Sequence, residues 1–489
     1  MYNKTNKNHV LSFTFINVVF GTRVLHTPYI YDNIDDCIGA FTFEELCTKG
    51  LFSRTIKDRE PHAMPLNLNW KPRRIFYGWW IVGACFLIAL YGGGVVFYGF
   101  TAIFEPLADE FGWSYAQISF AASLRGLEAG LLAPLVGLLV DRWGPRKLLF
   151  IGSIITSLGL MLLSRTSSLG TFYGAFVVVA IGMSTCSSTV LMTAVANWFR
   201  KKIGIATGIM ICGYGFSGLL VPIMVNLIDR YEWRMAIAIL AIGMIAICLP
   251  MSLLVRHKPE QYGYQPDGTV NDDVTSDDRP LPEEPAEVNI KARQAIKSRT
   301  FWHITLALLY QAAIMSTITA HVMPYLSSIN ITRAKSSLIA SAIPLVSIGG
   351  RIGLGWLGDR IDKRRLIAGA IAMMFAGLLC FAFASPEANW LFIPFLILYG
   401  VGYGGNNTLR ASVLSEFFGR RNFGAIHGLV IGIMMLGSIT GPPLAGWVFD
   451  KWHSYQPIWF VFAGLAVAAL VSAATTPPVN ITIQSVHRT

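Results

Sequence analysis

The sequence predicts an all-α membrane protein, with twelve transmembrane helices arranged as two pseudo-symmetric six-helix halves. Three observations carry that expectation. Of its 489 residues, 53% are hydrophobic and 14% charged, with a mean hydropathy of +0.51, whereas a soluble domain carries about 25% charged residues. The apolar residues fall in runs of about 18 or more, enough for a helix to cross the hydrocarbon core. A loop motif rich in glycine and charge also occurs once in each half of the chain.

Residues 77–100, 115–139, 148–164, 171–194, 204–227 and 235–255 read as spans one to six. Residues 301–327, 336–358, 366–384, 390–413, 424–447 and 456–475 read as spans seven to twelve. They define an N-terminal half over 75–255 and a C-terminal half over 301–475, with 476–489 as a cytoplasmic tail. Between the halves, 256–300 carries five prolines and the acidic run Asp272, Asp273, Asp277, Asp278, Glu283, Glu284 and Glu287, and reads as a solvated cytoplasmic linker. Residues 1–74 read as an N-terminal cytoplasmic extension whose one apolar stretch, 9–20, is too short to span. Two readings of it stay open: a disordered tail, or sequence upstream of a start at Met64. The second is preferred, because Lys71, Arg73 and Arg74 directly precede the first apolar run.

The net charge of +11 and pI near 9.3 do not imply a nucleic-acid partner, because Lys and Arg sit between apolar runs instead of forming one basic face. They set topology. Arg142, Arg146 and Lys147, then Arg200, Lys201 and Lys202, then Arg360, Lys363, Arg364 and Arg365, then Arg420 and Arg421 follow the even spans, while the loop after span one has Glu105, Asp109 and Glu110 and no base. The positive-inside rule therefore places the even loops and both termini in the cytoplasm of a cell-membrane, multi-pass protein. The seven cysteines are scattered, with no Cys-x-x-Cys pair and no histidine at metal spacing, so no metal and no cofactor are expected. No Gly-x-x-x-x-Gly-Lys motif occurs, which argues against ATP as the energy source.

The halves repeat. Gly137-Leu-Leu-Val-Asp141-Arg142-Trp-Gly144-Pro-Arg146 follows span two, and Gly355-Trp-Leu-Gly-Asp359-Arg360-Ile-Asp362 follows span eight. A second pair, Gly204 and Gly208 in span five against Gly424 and Gly428 in span eleven, has the same offset to within two residues. Two parallel halves with matching motifs suit a carrier whose halves rock about a shared central site.

On these residues the chain resembles the major facilitator superfamily. The resemblance implies that the loop latches the halves on the cytoplasmic side, with Gly137, Asp141, Arg142, Gly144 and Arg146 gating and Asp359 and Arg360 in the mirrored role. Over 75–475 the chain is similar to the monocarboxylate and oxalate/formate branch, through Tyr77-Gly-Trp-Trp, Asn197-Trp198-Phe199, the glycines of span five, Pro324-Tyr325 and Gly350-Arg351-Ile-Gly353. Two departures stand out. The acid that animal monocarboxylate carriers hold four residues before the span-eight Arg is here Ser347, and span eleven, 424–447, has no Lys or Arg where the oxalate exchanger has a Lys.

Charges deep in a bilayer are costly and need a partner or a wet cavity. Arg351 stands eight residues before Asp359, about 12 Å into the membrane, and its planar guanidinium suits a carboxylate; in the resembled branch the Arg at this position is implied to hold the substrate. Arg125 and Glu128 share one face of span two at a spacing of three, and two readings stay open: Glu128 as the proton carrier, or a self-compensating pair that locks span two to a neighbour. His321, Tyr98 and Asn406 are candidate cavity residues, against helix-end hydrogen bonding for the first and core packing for the others. Arg410 and His427 read as interface anchors.

The expected function is secondary transport of a small organic anion, a monocarboxylate with H+ in symport, by a monomer that acts without enzyme chemistry. The alternatives are an anion exchanger or a proton-driven exporter of hydrophobic compounds. Gly441-Pro442-Pro443 is suggestive of the exporter, but the Gly-Pro signature of such exporters belongs on span five, and here it lies on span eleven.

Overall fold

The computed structural model describes residues 76–262, 265, 292–358, 360–418 and 423–475. All of them belong to one compact unit, Arg74–Thr489. The extension 1–74, the acidic run of the linker, Asp359, Arg420, Arg421 and the tail 476–489 lie outside the described residues, as do the side chains of Arg125 and Glu128.

Among the described residues every element is helical, and helix covers each of the twelve predicted spans. Nine helical segments are long and apolar enough to cross a membrane. One of them, Ile203–Leu254, holds spans five and six, separated at Glu232 by a backbone turn with φ 65° and ψ 160°. Two predicted spans are missing from the nine, for different reasons. Span two is interrupted between Tyr115–Leu131 and Ala133–Trp143. Span ten, Phe392–Phe418, is continuous but carries Tyr399, Tyr403, Asn406, Asn407 and Arg410 through its middle. Large apolar side chains point outward along the helices, Leu138 at 70% exposure and Ile205 at 64% among them, which is the surface a lipid-embedded bundle presents.

Several motif residues turn out to be fastenings between helix ends. Tyr77 donates its hydroxyl hydrogen to the Leu254 carbonyl at 2.8 Å, Asn197 donates to His257 O at 2.9 Å, and the Trp198 indole donates to Arg256 O at 3.1 Å. These three tie spans one and four to the end of span six, and the Arg256 guanidinium covers the Tyr77 ring at 4.0 Å.

The two halves meet along two crossed helix pairs made close by small residues. A Cβ on Gly446 of span eleven would stand 2.6 Å from the Tyr115 backbone of span two, and one on Gly218, where span five continues, 2.5 Å from Ser341 O of span eight. Neither position has room for a side chain.

Candidate functional site

Between the halves lies a cavity of about 500 Å³. Span one reaches it through a π-helical stretch, Gly93–Tyr98, which breaks the regular ladder and turns Val96 and Phe97 to the wall; such bulges are common at functional sites. Span four is not the continuous helix expected over 171–194. It stops at Thr185 and restarts at Ser188, and the break itself, with Ser187, Ser188 and Thr189, forms part of the wall. Interrupted backbone at membrane depth is tolerated where it borders a cavity. Span seven contributes Gln311, Met315 and Thr319, one face at spacings of four, and span eleven contributes Met434 and Ser438.

Span ten supplies the charge. Tyr403, Asn406, Asn407 and Arg410 follow one another at spacings that keep them on one side of the helix. Arg410 is the one charged side chain on the wall among the described residues. Its Nε is buried without a hydrogen-bond partner, and its Nη1 faces the Met434 sulfur at 3.9 Å. The interface anchor expected at this position is thus a cavity residue, and its register with Tyr403 and Asn406 is the signal by which the sequence could have placed it.

The predicted site residues fall into three groups. Tyr98, Asn406 and Arg351 are not among the described wall residues, though Phe97 and Asn407, next to the first two in sequence, are. The Tyr98 and Tyr403 hydroxyls are 3.3 Å apart and join the two halves. Asn406 is 0% exposed, and neither its Oδ1 nor its Nδ2 has a partner. Arg351 donates from Nη1 to the Ile211 carbonyl of span five at 3.1 Å, and its Nε is unpartnered.

His321 belongs to the second group, at the sealed end. It is 0% exposed. Its Nε2 lies 2.9 Å from both Pro442 O and Ser119 Oγ, and its Nδ1 lies 2.9 Å from the Tyr455 hydroxyl. A carbonyl can only accept, so the network assigns the proton to Nε2 and makes Nδ1 the acceptor from Tyr455. The imidazole thereby links spans seven, two, eleven and twelve, from both halves.

The third group is the repeated loop. Asp141, Arg142 and Arg146 are exposed, Gly144 is buried with φ 78°, and Gly137 is half-buried in the helix before them. Arg360, just past the end of Arg333–Gly358, lies over the Trp356 ring of that helix at 3.7 Å. Among the described residues none of these four charged groups pairs across the halves.

The opposite end is closed. Asp450 of span eleven accepts from the backbone N–H groups of Tyr115 at 2.8 Å and Ala116 at 2.9 Å, the first turn of span two. Arg333 of span eight donates to Ala102 O at 2.8 Å and pairs with Asp229 at 3.2 Å and Glu105 at 3.9 Å. With His321 these contacts bolt one half to the other, and the cavity lies on their inner side.

A helical bundle of this kind, with a central cavity sealed at one end, is the frame of a carrier. The Major Facilitator Superfamily model matches residues 83–430 and 322–485. The chain belongs to this superfamily. Monocarboxylate transporter 12 of Rattus norvegicus is 24% identical over 409 residues, covering 80% of this chain and 83% of that protein. Monocarboxylate transporter 7 of Homo sapiens is 22% identical over 453 residues, covering 82% and 86%. Among solved structures, a D-xylose-proton symporter superposes with a TM-score of 0.65 at 15% identity, covering 82% of this chain and 98% of that one, a likeness of fold. The protein is therefore a multi-pass membrane transporter of the major facilitator type, and not an enzyme.

Proposed function

We propose that this major facilitator protein carries a small organic anion, a monocarboxylate together with H+, by alternating access. The observation that supports this reading is the sign of the cavity. Its described wall carries hydroxyls, amides, thioethers and one guanidinium, with no carboxylate, so an anion is the charge it compensates. The relatives named as monocarboxylate transporters agree with it. In this reading the basic loops and both termini are cytoplasmic, and the cavity is that of the inward-facing state, which follows from the sealed end being the one away from the basic loops. Arg351, Tyr98, Asn406 and His321 shape the anion path and its outer closure, Glu128 takes the proton beside Arg125, and Asp141, Arg142, Arg146, Asp359 and Arg360 latch the cytoplasmic side in the other state. A monomer suffices, since the cavity is complete within one chain.

The test is uptake of labelled lactate, pyruvate, formate, acetate, oxalate and 3-phenylpropanoate into proteoliposomes under an inside-alkaline pH step, with and without a protonophore. Accumulation of a monoanion that the protonophore abolishes is the expected result. Expulsion of a lipophilic cation, with no anion accumulated, overturns the reading.

A further inference from the structure

Resting on the anion reading, we propose that Arg410, and not Arg351, holds the substrate carboxylate, and that the substrate is a monocarboxylate with an apolar body larger than a three-carbon acid. Arg410 stands eight residues before the end of Phe392–Phe418, about 12 Å along the helix, and Arg351 seven before the end of Arg333–Gly358. The two guanidiniums are used differently. Arg351 spends a donor on Ile211 O, across the halves, which makes it a strut between spans eight and five. Arg410 is on the cavity wall, where its one hydrogen-bond partner is the Met434 thioether, a weak acceptor, at 3.9 Å; its buried Nε has no partner, as in Arg351. Among the described residues no acid pairs with it. A cation so placed is stabilised when an anion arrives, and its fork donates two parallel hydrogen bonds to a carboxylate.

A second feature of the same wall favours negative charge. Span four restarts at Ser188, so the N-terminus of Ser188–Ala196 opens on the cavity. The positive end of that helix comes from the N-terminal half, while Arg410 comes from the C-terminal half. An anion held between them engages both bodies that must move together.

The size of the space sets the rest of the ligand. A cavity of about 500 Å³ is in the range of roughly 300–1,000 Å³ that encloses drug-sized molecules, far more than lactate fills. Met183, Met315, Met434, Met435 and Phe97 line it. Thioethers adapt to shape and make favourable contacts with aromatic rings, so an aromatic or branched body suits this wall.

The experiment is calorimetric titration of the full chain in nanodiscs with 3-phenylpropanoate, its uncharged primary amide, and lactate. The wild type binds 3-phenylpropanoate at least tenfold tighter than lactate and about ten- to a hundredfold tighter than the amide. Arg410→Gln brings the carboxylate-to-amide ratio close to one while binding of the amide persists, which shows the variant is folded. Arg410→Lys keeps part of the ratio, and Arg351→Gln weakens acid and amide alike, as loss of a strut beside the path would. If Arg351→Gln collapses the ratio and Arg410→Gln preserves it, the assignment is overturned while the anion reading stands. A wild type that does not distinguish acid from amide removes the anion reading itself, and lactate bound tighter than 3-phenylpropanoate removes the size argument.

Discussion

The two ends of the interface between the halves are held by different means. At the sealed end, side chains reach across: Asp450 to the first turn of span two, Arg333 to Ala102 O, Asp229 and Glu105, and His321 to Ser119. At the basic end, among the described residues, Asp141, Arg142, Arg146 and Arg360 make no ion pair across the halves; Arg360 lies over Trp356, and Lys363 pairs with Glu416 at 2.7 Å within the C-terminal half. The described charges of the repeated motif therefore do not bridge the halves in this state, whereas side chains at the other end do. A carrier needs this asymmetry, because a seal that formed at both ends at once would trap the cargo.

The contrast can be broken most strongly at Gly446. Its Cβ position is 2.6 Å from the Tyr115 backbone, so Gly446→Leu wedges spans two and eleven apart where the seal forms. Overpacking costs about 1–3 kcal/mol, a shift of roughly 5- to 150-fold in the closed population. A cysteine at Ser316 on the cavity wall, labelled with an impermeant maleimide from the sealed side, becomes reactive in that variant and stays protected without it. Unchanged protection means that the seal tolerates the wedge and does not depend on this crossing.

Asp450→Ala comes next. The carboxylate satisfies two N–H groups at the positive end of span two, and charge-assisted bonds of this kind contribute about 1.5–3 kcal/mol. The same labelling assay is expected to show partial exposure, with Asp450→Asn intermediate because one acceptor remains. Equal protection in all three forms would assign the seal to Arg333 and His321 alone.

The smallest effect is at the basic end. Asp362 caps Lys363–Ala382, accepting from Arg364 N at 2.9 Å, and its bond from the Arg364 guanidinium holds its carboxyl below the usual range, with the Arg364 and Arg365 charges adding to the effect. A depressed native pKa stabilises above the ordinary aspartate range near 3.9 and is lost as pH falls through and below it. Asp362→Ala should cost about 0.5–2 kcal/mol at pH 6, and the melting-temperature gap to wild type should close towards pH 3. Labelling from the sealed side should not change; if it does, the two ends are coupled through span nine.

How far the sequence can be read differs from residue to residue. Arg351 is legible because a guanidinium inside an apolar run is conspicuous. Arg410 is equally deep but lies near a run's end on a linear count, and only the helix face it shares with Tyr403 and Asn406 brings it to the wall. His321 is visible as a titratable group; its three partners come from residues 119, 442 and 455, which no local pattern connects. The span-four break is hidden because Cys186-Ser187-Ser188 has no proline or glycine to mark it.

The solvent, the helical architecture, the twelve apolar segments and the repeat can be read from residue order, because they rest on local composition and on periodicities that a bilayer enforces. The positions of the basic loops can be read there too. Which end is closed, which guanidinium meets the cavity and which is tied to a carbonyl emerge from the packed bundle alone. Those outcomes depend on contacts between residues hundreds of positions apart, made close by glycines such as Gly446 and Gly218, and on a choice between two packings of the same helices that hydropathy does not distinguish.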